Sequence, residues 1–156
     1  MKTQEVTVLS LRPDPTDPLG LDLKHILSAF ARKLVDWVWC VKNLDWLGEN
    51  GEPFCQAVEA AGPGRFWIVS QDLVNEVNGI YQTIEGEFMS FPKSMDRRDL
   101  GPLDLGLSSF PASRAVVAIV AVDGCYFDIY SKDSEATSMV HERLLDVTVE
   151  NPELYF

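Results

Sequence analysis

The sequence is poor in the residue types that most reactive centres need. It holds two histidines and three cysteines in 156 residues. His25 and His141 have no partners at ligand spacing, and no Cys-x-x-Cys or His-Glu-x-x-His pattern occurs, so no metal is expected. There is no Gly-x-Ser-x-Gly elbow and no glycine-rich loop followed by lysine. Gly62-Pro63-Gly64-Arg65 precedes an expected strand rather than a helix, which removes the usual phosphate cradle. No catalytic residue and no cofactor is assigned. Cys125 follows a turn, but Asp123, Asp128 and Asp133 surround it in sequence, the opposite of the electropositive setting a reactive thiolate wants. Glu85 and Glu87, two apart, project from one side of a strand. On an exposed face they are solvated rather than an acid–base pair.

Positive charge is the second shortage. Thirteen bases stand against 24 acids, a net charge of −11. Binding of phosphate needs clustered Lys and Arg, so nucleic acid is excluded as a direct ligand, and so is docking on an anionic membrane. Long uncharged apolar runs are missing too. The most apolar window, 19–47, carries Asp22, Lys24, Arg32, Lys33, Asp36 and Lys42, and would not span a bilayer. Residues 1–11 lack the apolar core of a secretory signal. Cys40, Cys55 and Cys125 are odd in number, widely spaced and set in apolar segments, a poor disulfide framework. Together these features suggest a cytoplasmic protein.

What is present is enough apolar material for a core. Apolar residues make up 46% and aromatics 10%, and the length suits one domain over 1–156. Val6, Val8 and Leu11 suggest a short strand, with Leu9 breaking the alternation. Prolines 13, 15 and 18 make 12–20 an extended linker. From Leu21 onward the positions Leu23, Ile26, Leu27, Phe30, Leu34, Trp37, Val38, Val41 and Leu44 have helical spacing, which predicts one long helix ending at Gly48–Gly51. On that helix Trp37 and Trp39 would lie roughly 200° apart, leaving one of them against another segment or partly exposed. Pro53 opens a short second helix through Ala60. Phe66–Val69 reads as a strand, Asp72–Val77 is ambiguous, Asn78-Gly79 is a turn, and Ile80–Phe91 is extended. Residues 92–113, rich in proline, glycine and leucine, form an irregular loop that either covers the sheet or acts as a lid.

The clearest unit is Ala115–Val122, Asp123-Gly124 and Cys125–Tyr130, a two-residue hairpin. A last helix begins near Ser131–Ser134, and Val147 and Val149 add a final strand. The expected class is α+β: one antiparallel sheet of about four to six strands, packed by a long N-terminal helix and a C-terminal helix.

The acid is unevenly spread. Residues 45–91 hold eight acids against Arg65 alone, and 123–156 hold eight against two bases; the segments between are nearly neutral. Such fields steer basic partners. The expected function is a non-catalytic acidic interaction domain, of the kind that acts as an intracellular inhibitor or immunity-type protein by covering a basic protein. The contact set is Glu49, Glu52, Glu59, Glu85, Glu87, Asp123, Asp128 and Asp133, chosen by charge. The alternative is a small-molecule-binding domain or small enzyme with a pocket lidded by residues 92–113. A homodimer is a third possibility, through the apolar tip Leu154-Tyr155-Phe156 or a sheet edge.

Overall fold

A computed structural model of the chain describes residues 4–13, 16–17, 21–48, 51–124, 126–144 and 147–156. Among them are seven strands: β1 (Thr7–Leu11), β2 (Trp37–Leu47), β3 (Trp67–Val69), β4 (Gln82–Pro92), β5 (Val117–Val122), β6 (Tyr126–Ser131) and β7 (Val147–Glu150). Four α-helices accompany them: α1 (Leu23–Phe30), α2 (Gly51–Ala61), α3 (Ser70–Val77) and α4 (Ser134–Arg143). The class is α+β. The strands form one open sheet in the order β3-β2-β4-β5-β6-β1-β7, and each neighbouring pair is antiparallel. The sheet therefore has seven strands rather than four to six. Much of the 12–20 linker lies outside the described residues, as do Glu49 and Cys125.

The largest departure from expectation lies in 21–47. The helix stops at Phe30, a 3-10 turn spans Ala31–Asp36, and Trp37–Leu47 is a strand inside the sheet. The break sits at Ala31, whose φ of 33° is strained for a residue with a side chain. The same run satisfies two periods, because Trp37, Trp39 and Val41 also alternate. β-branched and aromatic residues favour the strand, and pairing with β3 and β4 on either side settles the choice. Both tryptophans then face one way, in edge contact at 5.8 Å, and neither is exposed. Trp39 is fully buried and its indole N–H donates to Ser70 Oγ at 2.9 Å.

One face of the sheet carries all four helices. Leu9, Leu11, Trp39, Phe88, Ile119 and Ile129 meet Ile26 and Phe30 of α1, Phe54 and Val58 of α2, Leu73 of α3 and Val140 of α4 in one core. The other face carries no α-helix among the described residues. Its cover is the segment 93–116, three short 3-10 turns joined by bends, together with the C-terminal residues 152–156. Phe110 anchors this second core with Val8, Met89, Phe91, Ala118 and Tyr130. Both faces being covered explains why β1 does not alternate: Val8 faces one core and Leu9 the other. Tyr155 and Phe156 pack on the chain's own Tyr130, at 5.7 and 5.1 Å between ring centres.

The β5–β6 turn has φ of 52° at Asp123 and 64° at Gly124, the backbone that matches strand twist. Asp133 caps α4 by accepting from the Glu135 and Ala136 amides.

Candidate interaction surface

The cover on the second face is incomplete. Strand register places side chains there in rows that run across the sheet. One row, under the cover, is Glu150, Val8, Tyr130, Ala118, Met89 and Cys40. The next row, toward the β5–β6 turn, is Thr148, Ser10, Asp128, Val120, Glu87 and Lys42. Beyond it come Tyr126, Val122, Glu85 and, after a bulge in β2, Asp45. Val120, Val122 and Tyr126 are half-buried, while Glu85 and Asp45 are exposed. The last two rows form an open shelf up to six strands wide, roughly 24 Å across at the usual strand spacing.

The shelf is acidic. Asp45, Glu85, Glu87, Asp128 and Glu150 lie on this face, against Lys42 and Arg12. Both cations are engaged. Lys42 Nζ donates to the Leu105 carbonyl at 2.5 Å and lies 4.0 Å from Glu87. The Arg12 guanidinium stacks on the Tyr126 ring at 4.8 Å. Asn43, at the bulge with φ of 53°, donates to Glu87.

Asp128 is the least usual group on the shelf. It is 6% exposed, and its Oδ1 is buried without a hydrogen-bond partner. Burial pushes its carboxyl above the ordinary value, with Glu150 adding to the rise, while a Ser10 hydrogen bond and Arg12 oppose it. Beside it, burial pushes the Tyr130 phenol up to about 12, with Asp128 and Tyr155 contributing.

The expected contact residues divide. Glu85, Glu87 and Asp128 share the shelf, and Asp123 sits at its end, in the turn whose Gly124 amide donates to the Ile84 carbonyl at 2.7 Å. Glu52 and Glu59 lie on α2, across the sheet; Glu59 borders a small cleft of about 270 Å³ with Lys42 and Pro63. Asp133 is at the opposite end of the sheet, 2.9 Å from Lys33. Glu49 lies outside the described residues. Asp45 joins the shelf, and Glu150 the row beside it, without having been expected. Strand alternation through 37–47 would have indicated Asp45. Nothing in the sequence indicates that β1 inserts between β6 and β7 and so brings Glu150 near Asp128.

Other chemistry is sparse. Burial pushes the Cys40 thiol up to about 11, and the Cys55 thiol is raised for the same reason. His25 accepts the Asp22 amide at 2.8 Å, and His141 is exposed. Among the described residues no group of three His, Cys, Asp or Glu side chains is placed to hold a metal. No described helix is long and apolar enough to cross a membrane. No protein-family model, curated protein or solved structure matches the chain.

Proposed function

We propose that this chain is a non-catalytic interaction domain that engages a basic protein through the acidic shelf, in the manner of an inhibitor that covers a cationic site. The observation that carries the reading is the convergence of two separate acidic stretches on one face: Asp45, Glu85 and Glu87 from one and Asp128 from the other, with Glu150 in the adjoining row. A second observation supports it. Exposed acids beside half-buried Val120, Val122 and Tyr126 combine a steering field with an apolar floor, the combination that interfaces use.

The test is affinity capture with a charge-reversed shelf. Glu85→Lys with Glu87→Lys should weaken retention of basic partners by about tenfold or more, with the remainder falling as salt is raised. Glu142→Lys with Glu153→Lys, exposed and off the shelf, should leave retention within about twofold. Equal loss in both pairs, or retention indifferent to salt, would remove the shelf from the explanation.

A further inference from the structure

The opposite end of the second face holds a different chemistry. Lys132 directly follows β6, and its side chain points to the same face as Asp128 and Tyr130. It is half-buried, with Nζ 4.5 Å above the Phe110 ring, 2.6 Å from the Ser113 carbonyl and 3.3 Å from Ser113 Oγ. No described carboxylate lies within ion-pair distance of it. The nearby acids are already occupied. Asp133 holds Lys33 and the first amides of α4, and Asp104 accepts from the Gly101 and Arg114 amides. Lys132 borders an open cavity of about 660 Å³, whose wall includes Pro111, Ser113, Arg114, Val116 and Ser134.

A buried ammonium without a counter-ion is disfavoured, and desolvation lowers the Lys132 amine to about 8, with Asp104 opposing the change. Lys33, one strand-end away, shows the reverse: its hydrogen bonds to Asp133 and Glu135 hold it above the ordinary value. A sizeable fraction of Lys132 is therefore neutral near physiological pH, at the border of an open cavity. Arg114 borders the same space; its Nη1 donates to the Asp99 carbonyl at 2.8 Å, and its remaining N–H groups offer positive charge to an anionic group, with Asp133 of the same wall held by Lys33.

We propose that Lys132 is a nucleophilic amine that takes a small 2-oxo acid as an imine, with Arg114 receiving the acid's carboxylate. The amine nitrogen forms a bond to the carbonyl carbon. The carbonyl oxygen leaves as water, carrying both amine hydrogens, and the C=N bond takes its place.

The experiment treats the full chain with glyoxylate and cyanoborohydride, which reduces any imine to a stable amine, and maps the adducts by mass spectrometry. Near neutral pH, Lys132 should be modified at least about tenfold faster than exposed Lys24 and Lys93, because more of it is unprotonated. Lys132→Arg should remove the fast adduct while keeping the wild-type unfolding temperature. Arg114→Gln should slow glyoxylate but not propanal. Adducts that follow exposure alone, or a fast adduct that survives Lys132→Arg, would overturn the assignment. Equal rates for glyoxylate and propanal would overturn the 2-oxo acid class.

Discussion

The two faces of the sheet are covered by different means, and the charges follow the difference. On one face four helices lay down apolar stripes. A helix satisfies its own backbone, so the buried polar groups on that side are few: the Trp39–Ser70 pair, and Asp22 at the head of α1, whose Oδ1 accepts from the Thr83 amide at 3.1 Å. On the other face the cover is irregular, and its backbone needs partners from side chains. Lys42 reaches the Leu105 carbonyl, Lys132 reaches Ser113, Ser109 Oγ donates to Leu103, and Asp104 accepts from two amides. The half-buried Lys42 and Lys132 thus follow from covering a sheet with loop. Both proposed sites lie on that face, one where the cover stops and one along its margin.

The sharpest way to break this comparison is to truncate one anchor on each side. Trp39→Ala should cost about 3–5 kcal/mol in denaturant unfolding, since it removes a fully buried ring and orphans Ser70. Phe110→Ala should cost less, about 3 kcal/mol, because turns and a terminal segment settle into a void more readily than packed helices. A larger loss at Phe110 would reverse the ranking of the two cores.

Asp133→Ala should cost about 1 kcal/mol, since it removes the α4 cap and the Lys33 contact. Burial alone would raise this carboxyl, but Lys33 and the helix amides hold it below its ordinary value. Its contribution is therefore present above the ordinary carboxylate range and lost as pH falls through the depressed value. Unfolding of the wild type and the variant should converge in acid, and a gap that persisted there would remove the carboxylate from the account.

The smallest effect is expected at Asp128, with the opposite sign. Its raised value means that the folded state disfavours the ionised form. Stability from this group is present below the ordinary carboxylate range and lost as pH rises through the raised value. Asp128→Asn should be more stable than wild type at neutral pH, by about 1 kcal/mol at most, with the gain vanishing in acid. A loss of stability at neutral pH would show the carboxylate to be well satisfied, against its unpartnered oxygen.

The legibility of the chain tracks how local each decision is. The β5–β6 hairpin was readable because Asp123-Gly124 needs only two residues of positive φ between two β-branched or aromatic runs. The cap at Asp133 and the stop at Gly62 and Gly64 are equally local. Residues 37–47 were not readable, since W-V-W-C-V fits a helix stripe and a strand with two buried faces alike. That ambiguity carried Asp45 with it. Three of the five acids on this face, Glu85, Glu87 and Asp128, were named from charge alone. Lys132 gave no signal, because its burial depends on Phe110 and Ser113, about twenty residues away in the chain.

Composition and local pattern by themselves determined the α+β class, the single antiparallel sheet, the hairpin and the two acidic stretches. These rest on propensity, turn geometry and charge count, which a linear chain carries. Only the tertiary structure decided that the first long apolar run divides into a helix and an interior strand, because two neighbouring strands have to be present before it can pair. It also decided that β1 slips between β6 and β7, which brings acids from distant segments to one face. Which charges end up half-buried followed in turn from where the irregular cover stops, and no residue pattern within the chain encodes that.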